Sequence, residues 1–429
     1  MPFDQKKYQS IIDEFTIDTE TLKEVAANFR QDMRIGLKDP DQSSMRMLKS
    51  YVGLPSGAER GEYLALDFGG TNVRVLRIQL QGNGRFEVLK RVGRPLVVQG
   101  EYDYICSNST SDEMFGFIAE LIEESLDGET EKKFLLGHTF SFPSFQTNLY
   151  NAKLITWTKE FATPGVEGQI VNDLLLDALK KRGVNNVEPV AVINDTVAVL
   201  LSAAYQRGST FIGSIYATGH NTCYLEPYED SDDEPMIINL ECGRFSKLTP
   251  NRFDQEIDEK SEKPGEQRLE KMVSGRYMGD LFSLATAELL NESGKIYGFT
   301  SIDMSNIILD ESISRENVKS IVQDKTFHEL STKDCERLQD IASAIVERSA
   351  RLVTSTFVGI IWQLAGKGDI RRQHVAVDGS VYEKMPLAKD MIRTTLEELL
   401  GSDARNVDTV LDNGGSGLGA AIAAAMSQD

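Results

Sequence analysis

Cysteine is scarce. The four in 429 residues (Cys106, Cys223, Cys242 and Cys335) are scattered with no paired C-x-x-C spacing, which leaves neither a zinc site nor a disulfide framework to read. Each suits a small buried apolar filler. No apolar run approaches the ~18 residues of a membrane span, and the opening MPFDQKKYQSIIDEF lacks the apolar core of a signal peptide. The expectation is a cytoplasmic protein with no membrane partner. Basic residues are also short: 46 Lys and Arg against 66 Asp and Glu leave a formal charge of −20. That balance argues against nucleic-acid or anionic-membrane binding, because phosphate backbones are held by clustered cations. It also sets a condition on any nucleotide ligand, whose phosphates would need backbone N–H groups, helix N-termini, a divalent cation and a few local cations.

What is present is ordinary for a globular protein, 41% hydrophobic and 26% charged, and the length allows two core-bearing domains. Residues 1–60 read as helical and polar, with Leu22, Val25, Ala26, Phe29 and Met33 at helical spacing. At Tyr63 the character changes. YLALDFGGTNVRVLRIQL reads as a strand, a tight turn at Gly69 and Gly70, and a second strand with Val73, Val75, Ile78 and Leu80 on one side. QGNG (Gln81 to Gly84) makes another turn. A helix over Met114–Ser125, a strand over Phe134–Phe140, a helix over Ile170–Lys181 closed by Gly183 and the strand PVAVIN follow, an alternation typical of α/β domains. FIGSIYATGHNTCYLE then repeats the strand–turn–strand pattern, with a polar turn from Thr218 to Thr222. Two such hairpins, each opening an α/β unit, suggest a duplicated architecture with a ligand cleft between its halves. EDSDDEP (Glu229 to Pro235) reads as a solvated loop, and residues 335–364, ending in LVTSTFVGIIWQL, as a long buried helix.

Five segments carry side chains suited to chemistry. Asp67, Gly69, Gly70, Thr71 and Asn72 form a turn whose glycines let backbone approach a phosphate; the glycines run into a strand, so this is no P-loop, and an ordinary hairpin turn is the plainer alternative. Asn194 and Asp195 end a buried strand and start an apolar helix. There Asp195 fits a helix N-cap as well as a functional carboxylate at a strand's carboxyl end. SFP (Ser141 to Pro143) and TWTKEF (Thr156 to Phe161) mix hydroxyls, a lysine and aromatics in a loop able to read a sugar or merely to cover the surface. Glu241 in INLECG, with Gln267 and Glu270 in KPGEQRLEK, supplies carboxylates and an amide, residue types that elsewhere on this acidic chain simply face solvent. AVDGSVYEK (Ala376 to Lys384) and DNGGSGLGAAIAAA (Asp412 to Ala425) are glycine-rich. The second leaves no room for a dinucleotide fold before the chain's last residue, and fits a loop against a nucleotide or close helix packing.

Taken in order, LALDFGGTNVRV, TFSFP, WTKEF, VINDTVA, ATGHNTCYLE, INLECG, PGEQRLEKMVSGRYMGDL, VAVDGSVYEK and GGSGLGAA resemble the eukaryotic-type hexokinase and glucokinase family, over about Leu64 to Ala424. The resemblance implies the two-lobed, duplicated actin-like ATPase (ribonuclease H-like) α/β fold with an interlobe cleft. It places a small lobe at 61–192 plus about 416–429 and a large lobe at 1–60 plus 193–415. It also implies an ATP-dependent hexose 6-phosphotransferase, glucose foremost, at the first step of glycolysis, acting as monomer or homodimer. By resemblance Asp195 is the general base and Lys159 joins it in the catalytic set. The hexose ligands fall on Ser141, Thr158, Lys159, Asn194, Asp195, Asn221, Glu241, Gln267 and Glu270. ATP falls on Asp67, Gly69, Gly70, Thr71, Asn72, Arg74, Thr218, Gly219, Arg276, Gly379, Ser380 and Gly415, with Mg2+ carried by ATP and held through water by Asp67 and Asp195. Arg74, Lys159 and Arg276 would supply the local cations. Three places depart from the family pattern: Ala217 and Glu160 stand where glycine is frequent, and the loop from Val97 to Met114 follows no version of it.

Overall fold

The amphipathic spacing of the first forty residues becomes two helices, each opened by an aspartate whose carboxylate accepts backbone N–H groups of the first turn: α1 (Gln5–Phe15) behind Asp4 and α2 (Thr19–Lys38) behind Asp18. Leu22, Val25, Ala26, Phe29 and Met33 are all buried. Helix does not continue to residue 60 as the polar pattern suggests. Asp39 caps α2 and Pro40, without an N–H, opens only a 3-10 turn over Pro40–Gln42 before the short strand β1 (Leu48–Lys49). The computed structural model describes residues 3–158, 160–228, 234–412 and 414–428.

The chain divides into two compact units, Leu48–Gly213 with Cys223–Asn239 and Asp412–Asp429, and Met1–Met47 with Ser214–Thr222 and Leu240–Leu411. We call them the Asp67 unit and the Glu241 unit. Residues 48–60, 193–213, 223–239 and 412–415 thus join the Asp67 unit, whereas the motif-based division gave them to the large lobe.

The Asp67 unit is built on a five-stranded sheet, β10 (Val187–Ile193), β7 (Phe134–Phe140), β2 (Arg60–Phe68), β3 (Asn72–Gly82) and β4 (Arg85–Pro95), in that spatial order. β2–β3 and β3–β4 are antiparallel, β2–β7 and β7–β10 parallel. Side chains of a strand alternate between faces, and here both faces are covered. Leu64, Leu66, Phe68, Val73 and Val75 join one core with α3 (Ser111–Leu126) and α4 (Val171–Arg182). Tyr63, Ala65, Leu76, Ile78 and Leu80 join another with α5 (Asp195–Arg207) and α14 (Gly415–Met426). Val73 and Val75 therefore point away from Ile78 and Leu80, not to one side with them, because two odd and two even positions cannot share a face. α14 presses so closely on its neighbours that a Cβ on Gly419 would strike the Ala198 carbonyl, and one on Gly137 the Ala420 carbonyl. This packing draws α5, and with it Asp195, into the Asp67 unit. β13 (Met236–Asn239) pairs antiparallel with β1 and with the Cys223–Glu226 end of β12 (His220–Glu226). Two short ribbons, β5 (Val97–Val98) with β6 (Tyr102–Asp103) and β8 (Ser144–Phe145) with β9 (Lys153–Leu154), complete the unit.

The Glu241 unit surrounds one 34-residue helix, α11 (Thr332–Ala365). Its Arg348, 1% exposed, makes a two-pronged ion pair with Asp254 of α6 (Arg252–Lys260) at 2.7 and 2.8 Å. α7 (Arg268–Val273), α8 (Gly275–Leu289), α9 (Ser301–Ile308) and α10 (Glu316–Thr326) precede it. The parallel pair β14 (Gln373–Asp378) and β15 (Val407–Leu411) follows, with α12 (Ser380–Lys384) and α13 (Ala388–Leu400) between. The end of β11 (Thr210–Tyr216) and the start of β12 bring the second hairpin's turn into this unit.

Candidate active site

In the Asp67 unit the β2–β3 turn is Gly69–Thr71. Asp67 stands in register with Arg74 across β3, its carboxylate 3.6 Å from the guanidinium, and with Thr139 of β7. A Cβ on Gly69 would lie 2.5 Å from Ser141 Oγ, so only glycine lets the turn meet the SFP loop. A Cβ on Gly70 would meet nothing within 4 Å, and Thr71, Asn72 and Arg74 are exposed. The SFP and TWTKEF segments are joined by rings: Phe142 lies 4.8 Å from both Trp157 and Phe161, and Phe68 packs on the same cluster. Trp157 donates from Nε1 to the Thr163 carbonyl at 2.8 Å, fixing the segment that carries Thr158. Ser141 and Thr158 are half-buried. Lys159 lies outside the described residues.

β10 ends at Ile193, and the N-cap role falls to Asn194, whose Oδ1 accepts from Thr196 N at 3.0 Å and Thr196 Oγ1 at 2.8 Å. Asp195 is the first helical residue, partly exposed, with one oxygen accepting Thr196 N at 2.8 Å. It thus stands at the positive end of α5 and at the carboxyl end of a buried strand. Gly415 opens α14 beside Ser202 and Asp412, whose Oδ1 accepts from Ser202 Oγ at 3.1 Å. Gly417 and Gly419 serve packing, against Leu76 and Ala198.

In the Glu241 unit the turn is Ala217–Gly219. Ala217 O accepts from Gly275 N at 2.9 Å, Thr218 O accepts from Arg276 N at 3.1 Å, and Gly379, at φ 129°, leaves a Cβ no room against the Tyr216 carbonyl. Thr218, Gly219, Arg276 and Gly379 are therefore gathered at one place, with Ser380 exposed at the start of α12. The next residue, His220, donates its backbone N–H to Glu270 Oε2 at 3.2 Å, and its Nδ1 pairs with the Ile215 carbonyl at 3.0 Å.

Asn221 donates from Nδ2 to Glu241 Oε1 at 3.2 Å, and its Oδ1 accepts from Thr222 N at 2.7 Å and Cys242 N at 3.2 Å. Gln267 Oε1 lies where a Cβ on Gly243 would come within 2.7 Å of it. Glu241 and Gln267 both hold left-handed backbone, at φ 52° and 53°. For residues with a Cβ that costs about 1–2 kcal/mol each, strain of the kind stored at functional sites. Asn221 with Glu241, and Gln267 and Glu270 about Gly243, thus bring two amides and two carboxylates into a patch next to the second turn. Burial pushes the Cys242 thiol up to about 12, so it is no nucleophile at neutral pH.

His220 and Gly243 belong to this patch although no spacing in the sequence marks them; ECG and TGH contain them, but their contacts are tertiary. Among the described residues no group of three or more His, Cys, Asp or Glu is placed to hold a metal directly, and no helix is long and apolar enough to cross a membrane.

Known proteins resemble the chain along its length. Two family models, both described as hexokinase, match residues 7–205 and 211–426. Hexokinase-2 of Rattus norvegicus is 36% identical over 452 residues, covering 98% of this chain and 48% of the relative. Hexokinase-7 of Oryza sativa subsp. japonica is 35% identical over 441 residues, covering 95% and 94%. The chain spans about half the length of the mammalian relatives it matches. A solved hexokinase from Schistosoma mansoni complexed with glucose matches with a TM-score of 0.83 at 31% identity, over 98% of this chain and 99% of that one. Another hexokinase crystal structure matches with a TM-score of 0.86 at 32% identity, over the same shares. The fold is the duplicated α/β fold of the actin-like ATPase class, as the motifs implied.

Proposed function

The chain belongs to the hexokinase family, and from that premise we propose that it is a sugar kinase moving the γ-phosphoryl group of ATP onto the 6-hydroxyl of a hexose, glucose foremost. One observation carries the reading. Glu270, of the polyol-type patch, accepts the N–H of His220, the residue directly after the Thr218–Gly219 turn, so a side chain suited to sugar hydroxyls and a turn suited to phosphate share one hydrogen bond. A filament-forming or chaperone-type ATPase has no need of such a patch.

A pyranose hydroxyl donates and accepts together, which suits Ser141, Thr158, Asn194, Asp195, Asn221, Glu241, Gln267 and Glu270 as hexose ligands. Asp195 takes the proton of the 6-hydroxyl while that oxygen bonds to the γ-phosphorus and the bond to ADP breaks. Phosphoryl transfer asks mainly for positioning and charge neutralisation, so a single carboxylate suffices as base. ATP phosphates fall to the backbone and side chains of Gly69, Gly70, Thr71, Asn72, Arg74, Thr218 and Gly219, and its adenosine to Arg276, Gly379, Ser380 and Gly415. Mg2+ supplies charge neutralisation when bound. Asp67 and Asp195 would hold it through water, and isolated carboxylates suit an ion bound chiefly by phosphate and water. Lys159, outside the described residues, completes the catalytic set.

The deciding experiment is a panel of hexoses with ATP and Mg2+, with the product's phosphate position read by NMR. Formation of a hexose 6-phosphate supports the reading. ATP hydrolysis with no hexose stimulation, or sugar binding without phosphorylation, overturns it.

A further inference from the structure

One buried lysine has no part in the contacts above. Lys271 follows Glu270 on α7, and since consecutive helical side chains do not share a face, it leaves the patch for the interior, 4% exposed. An ammonium there is costly unless paired and hydrogen-bonded. Its Nζ donates to Asp258 Oδ1 at 2.5 Å and to the Lys263 carbonyl at 2.8 Å. Asp258, on α6, also accepts the Gly265 N–H, at 2.9 Å on one oxygen and 3.1 Å on the other. Burial alone would raise the Asp258 carboxyl, but hydrogen bonds from Lys271 and Gly265 outweigh it and hold the group below its ordinary value. The loop 261–267 is thereby tied at Lys263 and Gly265 to one fixed point between α6 and α7. Its last residue is Gln267, which opens α7 in the left-handed region and rests its amide oxygen against Gly243.

We infer that Lys271 and Asp258 are positioning residues: the ion pair of the buried lysine with the half-buried aspartate sets the loop 261–267, and through it the Gln267 amide, and so tunes recognition of the hexose hydroxyl that Gln267 reads. The inference rests on the reading of Gln267 as a hexose ligand. A merely structural ion pair would lower stability without favouring one substrate over the other.

The test is a double-mutant cycle in the full chain, combining Lys271→Met with Gln267→Ala, and Asp258→Asn as a second route that keeps an acceptor for Gly265. Lys271→Met should raise the KM for hexose on the order of tenfold or more, with kcat and the KM for ATP far less changed. Asp258→Asn should move it in the same direction. In the Gln267→Ala background neither should add much, because both act through that side chain. An undiminished rise in that background, or equal losses for hexose and ATP, overturns the inference. Should Lys271→Met fail to fold, the Asp258→Asn cycle decides alone. Gln267→Ala by itself separates the two questions: an unchanged hexose KM there overturns the ligand reading, whereas a raised one with additive partners overturns only the positioning role.

Discussion

The turn after β2 and the turn after β11 each leave a strand, reverse over three residues and enter another strand, yet they are held in opposite ways. At Gly69–Thr71 one glycine touches Ser141 and the Thr71 carbonyl accepts from Leu96 N at 2.6 Å, but a Cβ on Gly70 would meet nothing and the Thr71 and Asn72 side chains are exposed. At Ala217–Gly219 the start of α8, the end of β14 and Glu270 of α7 all bear on three residues. Segments with few buried contacts open cheaply, and segments tied by backbone hydrogen bonds do not. The first turn thus keeps one open, solvent-facing side at Gly70, while the second is braced on several sides and shares its bracing with the polyol-type patch.

The contrast breaks most visibly if the chemistry is reassigned. On the proposed assignment of Asp195 as base, Asp195→Ala should cut kcat by about 10²-fold or more while hexose still binds. Glu270→Gln, which keeps an acceptor for the His220 N–H, should instead raise the hexose KM about tenfold with a smaller loss of kcat. Steady-state kinetics on both variants checks this, and near-normal turnover in Asp195→Ala would remove it from the role. A smaller effect sharpens the comparison by stability alone. Gly379→Ala, with left-handed-side φ and the Tyr216 carbonyl in the way, should cost about 3 kcal/mol. Gly70→Ala, into open space, should stay within about 0.5 kcal/mol. Denaturant unfolding of the two variants measures the difference; equal losses would mean the turns are held alike.

Local periodicity carries much of this fold in the open. The strand Phe134–Phe140 and the helix closed by Gly183 are where the apolar spacing puts them, because one side of each is buried and backbone geometry repeats in the residues. β4 goes unannounced because it is mostly exposed and so lacks alternation. The opposed pairs Val73–Val75 and Ile78–Leu80 mislead because β3, covered on both faces, buries these side chains whatever their direction. In the glycine-rich tail, Gly417 and Gly419 answer to neighbours distant in sequence. The candidate site divides the same way. Asp67, Gly69, Asn194 and Asp195 sit where strand patterns stop, which composition alone records. Asn221, Glu241, Gln267 and Glu270 are scattered polar residues that only the ordered motifs join, and the roles of His220, Gly243 and Lys271 arise from tertiary contacts that no spacing encodes.

The two buried histidines give the smallest and most discriminating comparison. Burial holds His138, on β7 between Phe68 and Phe140, down to about 3, with the Asn172 side chain opposing. Burial likewise holds His220, in the braced hairpin, down to about 4, with the Ile215 carbonyl opposing. Both folded values lie below the ~6.5 of an unfolded histidine, so the unfolded chain binds the extra protons. The stability from neutral burial is therefore complete above about pH 6.5 and declines as pH falls toward the folded values. His138→Phe, a ring among rings, should flatten that acid decline and cost little near pH 8. His220→Gln should flatten it too, yet lose stability near pH 8, because the Nδ1 bond to Ile215 spans the turn and goes with the ring. Unfolding free energies measured from about pH 4 to 8 distinguish these outcomes. If both variants matched the parent near pH 8, the imidazole would be no part of what braces the second turn, and its rigidity would rest on Glu270, Gly275, Arg276 and Gly379.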